Sequence, residues 1–392
     1  MTVAPPILTG TPGSFARSVF HQRHPKLIDQ VIAARPYGSN EEAALHQLLG
    51  ESTSGVIDQL PESAADWEQW SEWGRGIWGR TWADTPFLWA ESFFYKRLLE
   101  AVGYFGPGVW HGIDPFEPTK TAELSSPTVS DELAALDDLE RLDEESRRNS
   151  LLVSALWGNQ ADLGFRLTTD TQHRSSSLLV DDSTALWTIL EDSVAATVCI
   201  IADNAGRELL PDLILVDHLL TSRLAARVVL YVKPHPYYVS DATMHDMLAA
   251  LRRLRAASET QAHKIGMRLW QALSQDRLIV RTHEFFCAPL PFHDMPDDLR
   301  AELGTATITI LKGDLNYRRL VGDRKWAPTT SFRDLVDYFP SPPTALRALK
   351  SDVIVGLAPE DIETLDLTDS RWRTNGEHAV IQTGSTTLSR RR

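Results

Sequence analysis

The pattern of apolar and polar residues changes rhythm near residue 150. Up to that point apolar residues recur at three- and four-residue intervals, which predicts helices over 25–34, 41–51, 64–73, 85–102 and 130–147. Asn40 ahead of Glu41 and Glu42, and Ser130 ahead of Asp131 and Glu132, have the make-up of N-caps with acidic first turns. The proline- and glycine-rich stretch 103–127 reads as an irregular connector. Beyond residue 150, short apolar runs at 196–202, 227–233, 277–282, 305–311, 351–357 and 378–383 alternate with helical patterns at 208–222, 243–256, 260–274 and 333–339. Such alternation predicts a largely parallel sheet flanked by helices, with Ala379-Val380-Ile381 as an antiparallel addition. The expected organisation is a helical N-terminal domain, residues 1–150, followed by an α/β domain, residues 151–392.

Composition narrows the function. In 392 residues, 43% apolar and 23% charged content are those of a globular protein with ample core. A net charge of −14 argues against non-specific nucleic-acid binding and against attachment to an anionic membrane. It leaves open a phosphorylated small molecule, because a local basic pocket can sit in an acidic protein. No apolar run approaches transmembrane length, and the start of the chain lacks a basic, apolar leader pattern, so a cytoplasmic location is expected. Of the two cysteines, Cys199 lies inside an apolar strand, and no Cys-x-x-Cys pair offers structural zinc. Trp67, Trp70 and Trp73 share one helical face, which reads as packing rather than an aromatic binding box.

Two predicted strands end in short polar bursts. The run Val198-Cys199-Ile200-Ile201 leads to Asp203 and Asn204, and the run Val228-Val229-Leu230-Tyr231 leads, past two prolines, to Ser240 and Asp241. Ligands of open α/β sheets bind beyond the carboxyl ends of the strands. Asp203, Asn204 and Asp241 would there offer three oxygen donors to a hard or borderline divalent cation. Taken singly, each burst is equally an ordinary helix cap. Glu208 suits the first turn of the next helix, Asp212 shares its face as a structural acid, and His235 sits between prolines as a loop histidine. A third burst, Lys312 to Arg319, follows another strand. Gly313 permits close backbone approach to an anion, and Asn316 and Arg318 add donors. Lys350, in Arg347-Ala348-Leu349-Lys350, is a further candidate for a phosphate. An acidic metal site beside a basic anion site is the chemistry of phosphoryl hydrolysis, with Glu208 or Asp241 as the proton acceptor.

The motifs Asp203-Asn204-Ala205-Gly206 with Glu208 and Asp212, Pro236 to Asp241, and Lys312-Gly313-Asp314-Leu315-Asn316-Tyr317-Arg318 together resemble the DUF89 family. The likeness is to its subfamily III, damage-control phosphatases of the acidic residue methyltransferase 1 type (ARMT1-like). Leu156-Trp157-Gly158-Asn159 and Trp372 to Ile381 are similar as well, so the likeness spans most of the chain from about residue 151. It implies a three-layer α/β/α sandwich with a helical N-terminal domain. It also implies a metal-dependent phosphatase for small phosphomonoesters, sugar phosphates such as fructose phosphates, in metabolite damage control. Carried over by motif, Asp203, Asn204 and Asp241 would bind Mn2+, Co2+, Ni2+ or Mg2+, with Glu208 lining the site. Asp314, Leu315, Asn316, Tyr317, Arg318 and Lys350 would hold the substrate.

The chain departs from the family at Ala348, where threonine is usual, and at Gln160-Ala161-Asp162, where relatives carry lysine-cysteine-aspartate. Relatives are also described as S-adenosylmethionine-dependent carboxyl methyltransferases, but residues 204–207 hold a single glycine, poor for a cofactor loop. A nucleophilic-aspartate phosphatase would need an acid at position 205, which is alanine. A non-catalytic sugar-phosphate-binding protein is the remaining alternative.

Overall fold

Val198, Cys199, Ile200 and Ile201 are all buried, as a central parallel strand covered on both faces requires. Alternate side chains go to opposite sides. Val198 and Ile200 pack with Leu213, Met247 and Leu269, whereas Cys199 and Ile201 pack with Phe93, Phe286 and Leu320. This period of two repeats in Val228 and Leu230 against Val229 and Tyr231. The result is a three-layer α/β/α sandwich, seen in a computed structural model that describes residues 3–139, 141–158 and 177–384. The helices before residue 110 pack in the same cluster as the second face, around Phe20, Ile28, Leu45 and Phe94. There Trp70 touches Trp73, Trp89 and Phe93 at ring separations of 5.3–5.9 Å.

Seven strands form one sheet: β1 Leu178–Asp181, β2 Thr197–Ile201, β3 Arg227–Tyr231, β4 Leu278–Arg281, β5 Ile308–Lys312, β6 Pro343–Ala348 and β7 Ala379–Thr383. Their order is β1-β7-β6-β5-β2-β3-β4. All neighbouring pairs are parallel except β6 with β7, so the expected antiparallel addition is present, with β1 as a further strand outside it. From β2 the chain winds outward to β3 and β4; from β5 it winds the other way to β6. The topological switch point therefore lies between β2 and β5.

Several expected elements move. The buried run Val353-Ile354-Val355 is not a strand. Its backbone is held by side chains instead: the Arg347 guanidinium donates to the Val353 carbonyl, Gln382 Nε2 to the Val355 carbonyl at 2.8 Å, and the Val355 amide to Tyr317 Oη at 3.3 Å. The strand before it is β6, hidden in the sequence by Pro343 and by the wholly buried Arg347. The stretch 130–147 breaks into Pro127–Ala134, Leu136–Leu139 and Glu144–Trp157, the last capped by Asp143, which accepts from the Ser146 amide. Ser130 lies inside the first of these and accepts from Arg253 at 2.9 Å rather than capping. The helix near Asn40 begins at Ser39 with no side-chain cap. Within 103–127 a helix forms over Glu117–Leu124, with Pro118 in its first turn. Among the described residues no helix is long and apolar enough to cross a membrane. Cys199 and Cys287 are free and buried.

Candidate active site and metal centre

The loops after β2 and β3 pair with each other through their backbones. The Ala242 amide donates to the Asp203 carbonyl at 2.8 Å, the Ala205 amide to the Ser240 carbonyl at 2.6 Å, and Asn204 bridges Asp241. The excursion 233–243 is closed at its base, where the Lys233 amide donates to the Ala242 carbonyl at 2.8 Å. Asp203, Asn204, Glu208 and Asp241 thus come together at the switch point. Ser240 Oγ donates to Asn204 Oδ1 at 2.9 Å, and Asn204 Nδ2 donates to Glu208 Oε2 at 3.0 Å.

Asp203 is buried, yet among the described residues its carboxylate has no hydrogen bond and no ion pair. Burial, then Glu208 and Asp241, push its pKa well above the ordinary carboxylate value, while Lys350 and Lys233 oppose them. Asp241 is also raised by burial, but it has help: Lys233 Nζ lies 3.8 Å from Oδ2, and the Tyr238 amide donates to Oδ2 at 3.3 Å. A buried carboxylate crowded by two others is costly unless a cation joins it. No group of three or more His, Cys, Asp or Glu side chains is preformed for a metal among the described residues. The available donors are the Asp203 and Asp241 carboxylates and the Asn204 carboxamide oxygen. That oxygen set, around an uncompensated negative charge, fits a hard or borderline divalent cation.

Two glycines let the surrounding chain close in. At Gly313, with φ +82°, an added Cβ would stand 1.8 Å from Asp203 Oδ2. At Gly158, with φ +51°, it would stand 2.3 Å from Glu208 Cγ. A side chain at either position would displace the facing carboxylate. Of the Leu156 motif, Asn159 and the following residues 160–162 lie outside the described residues.

Gly313 opens the helix Gly313–Val321 at the end of β5, so its first amides have no helical partner. The side chains that follow turn inward. Asp314 Oδ1 accepts from Arg347 Nε at 2.8 Å, Ser351 Oγ at 3.0 Å and the Lys350 amide at 3.2 Å. Burial would raise the Asp314 pKa, but Arg347 and Arg318 outweigh it and hold the group below its ordinary value. Leu315 packs with Leu88, Tyr237 and Cys287. Asn316 Nδ2 donates to the Lys312 and Ala202 carbonyls, while its buried Oδ1 has no partner among the described residues. Tyr317 Oη donates to Gln382 at 2.9 Å. Arg318 Nε and Nη2 grip both Asp323 oxygens, Nη1 donates to Glu91, each at 2.9 Å, and the guanidinium lies over Phe87. Lys312 pairs with Asp212 at 2.7 Å, and burial still pushes Asp212 up to about 6.

Lys350 differs from these. Its ammonium has no hydrogen bond or ion pair among the described residues, and its charge acts on Asp203. The loop that carries it is fixed by Arg347, which holds Ser351 and lies over the Tyr317 ring at 4.2 Å. Ala348 ends β6, paired with Ala379.

Sequence reasoning missed Lys120, on the helix Glu117–Leu124. Its Nζ is buried and donates to the Asp241 carbonyl at 2.9 Å, Asp114 Oδ2 at 2.9 Å and Asp246 Oδ2 at 3.0 Å. Burial works to discharge it, but Asp114 and Asp246 hold its pKa above the ordinary lysine value. Three residues on, Glu123 reaches Gly206, and burial with the nearby Glu208 raises its pKa. Glu117-Pro118 was the available signal, since proline favours a helix's first turn.

A mostly parallel sheet with acidic loops at its switch point is the architecture of α/β proteins that bind ligands beyond their strand ends. The chain belongs to the damage-control phosphatase ARMT1-like family: the model of that domain matches residues 19–365. Membership makes it a phosphatase of the metabolite damage-control class. It is similar to the damage-control phosphatase ARMT1 of Danio rerio, 31% identical over 433 residues and 95% of each chain. It is 29% identical to that of Homo sapiens over 441 residues, covering 97% of this chain and 99% of the other. In fold it is similar to the crystal structure of a DUF89 family protein from Pyrococcus horikoshii, with a TM-score of 0.51 at 15% identity over 93% of this chain and 97% of that one.

Proposed function

We propose that the protein is a metal-dependent phosphatase acting on small phosphomonoesters, with sugar phosphates such as fructose phosphates as the leading substrate class. The observation that carries this reading is the Asp203 carboxylate, buried without a partner, crowded by Glu208 and Asp241, and facing the uncommitted Lys350. Asp203, Asn204 and Asp241 would hold Mn2+, Co2+, Ni2+ or Mg2+. Such a cation supplies Lewis acidity and makes water a competent nucleophile near neutral pH.

The chain's own groups do the rest. Lys350 and the free amides at the start of Gly313–Val321 bind the phosphoryl oxygens and stabilise the charge that builds on them. Asp314 sets the Lys350 loop through the Lys350 amide and Ser351. Leu315, Asn316, Tyr317 and Arg318 hold the helix start in place from within. Glu208 takes the proton of the attacking water: Asn204 occupies only Oε2, leaving Oε1 without a partner among the described residues. In this reading the helical residues 1–150 wall the site of residues 151–392 through Lys120 and Glu123, and the enzyme works on cytoplasmic metabolites.

The test is phosphate release from chelator-stripped protein, with each metal restored singly against a panel of sugar phosphates. Release that requires metal and disappears in Asp203→Ala and Asp241→Ala is expected. Metal-independent release, or full activity in Asp203→Ala, would sink the reading.

A further inference from the structure

We propose that Lys120 is a positioning residue for the metal site, setting the Asp241 carboxylate through its main chain; the inference rests on the metal reading above. The Lys120 ammonium has three protons and meets three acceptors, each from a different segment. These are Asp114 before its own helix, the Asp241 carbonyl in the β3 loop, and Asp246 in the helix Met244–Arg255. Of the three, Asp241 alone belongs to the candidate metal set, so Lys120 acts on the site through Asp241.

The contact to Asp241 constrains the ligand at its main chain rather than at its carboxylate. On that carboxylate, Oδ2 is already set by the Tyr238 amide and Lys233. Asp246 extends the brace, because its Oδ2 also receives the Thr243 amide at 2.9 Å and the Thr243 hydroxyl at 2.7 Å. Asp241 and the two residues that follow it are therefore held: Ala242 by Asp203 and Lys233 through the backbone, Thr243 by Asp246, and Asp241 itself by Lys120. A ligand aimed in advance binds metal more tightly than one that must be ordered on binding.

Removing Lys120 also leaves Asp114 and Asp246 short of a partner, so lost stability must be separated from lost positioning. Lys120→Met combined with Asp246→Asn removes the buried unpaired carboxylate while keeping an oxygen to cap Thr243. Lys96→Met serves as control: Lys96 is equally buried, but its partners are the Ala65 carbonyl, Asp66 and Glu100.

The experiment is isothermal calorimetry of the chelator-stripped full chain with Mn2+ alone, alongside melting temperatures. Lys120→Met is expected to weaken Mn2+ binding by roughly 10–100-fold, the usual scale for a group that orients a metal ligand. The double variant should regain part of the melting temperature yet stay weak for Mn2+. Lys96→Met should lose melting temperature and keep its Mn2+ affinity. A double variant that binds Mn2+ within about threefold of the parent overturns the role of Lys120 alone. A parent that binds no divalent metal overturns the metal reading, and this inference with it.

Discussion

Replacing Gly313 by alanine puts a methyl group into Asp203. The backbone there has φ +82°, a region in which a non-glycine residue costs about 1–3 kcal/mol. For a chain of 392 residues that lowers the melting temperature by only about 1–4 °C. The larger effect is local. The new Cβ would lie 1.8 Å from Asp203 Oδ2 and 2.2 Å from its Cγ, so the carboxylate must withdraw by about 1.6 Å to reach ordinary contact at 3.4 Å. A displacement near 1 Å at a reacting centre costs on the order of 100-fold in rate. The expected result is kcat/KM for a sugar phosphate down by ~100-fold or more with Mn2+ at saturation, in a protein that still folds. Gly76→Ala isolates the backbone effect, since φ there is +76° with nothing within 4 Å of the added carbon. It should lose similar stability and keep full activity. A Gly313→Ala enzyme within about threefold of the parent in kcat/KM would refute the close approach on which the site reading depends.

Asp203→Asn should abolish Mn2+ binding yet raise the melting temperature of the metal-free protein, because it removes an unpartnered carboxylate repelled by Glu208 and Asp241; a lower metal-free melting temperature contradicts the argument. Lys350→Ala should raise KM for phosphorylated substrate by about 10- to 100-fold, the scale of a hydrogen bond to a charged group. Mn2+ affinity in that variant should not fall, and calorimetry separates the two effects. Arg318→Met should cost about 3–5 kcal/mol in denaturant unfolding by stranding Glu91 and Asp323 inside the protein. His24 contributes to acid sensitivity: it stacks on Phe94 at 3.6 Å with neither ring nitrogen hydrogen-bonded among the described residues, and burial, then Arg23, hold its pKa well below 6.5. The folded imidazole stays neutral while the unfolded one gains a proton, so stability is full above 6.5 and falls as pH drops toward the folded pKa. At about pH 5.5 the loss is about 1.4 kcal/mol, and His24→Phe should remove that part of the pH dependence.

Central strands were readable because burial on both faces makes them continuous apolar runs, as in Val198 to Ile201 and Val228 to Tyr231. Their polar endings were readable for the same reason, and Asp203, Asn204 and Asp241 lie together where two strand ends meet. β6 was not readable, because Arg347 is buried for its bonds to Asp314, Ser351 and Val353 rather than for hydrophobicity. The run 351–357 misled because its apolar side chains are buried while its backbone is satisfied by Tyr317 and Gln382. Lys120 escaped notice because its partner at the site is a main-chain carbonyl, which carries no residue-type signal. The side chains of Asn316 and Arg318 looked like donors for an anion. Nothing local says that Tyr317 is held by Gln382, 65 positions away, or that Arg318, besides nearby Asp323, reaches Glu91, 227 positions away.

The switch point also bears on how quickly the protein assembles. β2 and β5 meet across a long loop closure, with Thr197 against Thr307 at a separation of 110 residues. Asp203 and the glycine that backs it come together only once that pairing is complete. Parallel pairing over such a distance is slow to form, and it precedes any geometry a metal can recognise. Mn2+ should therefore leave the refolding rate unchanged and act on the reverse step, lengthening the lifetime of the native state. The metal would be a latch on a finished chain rather than a nucleus for an unfinished one.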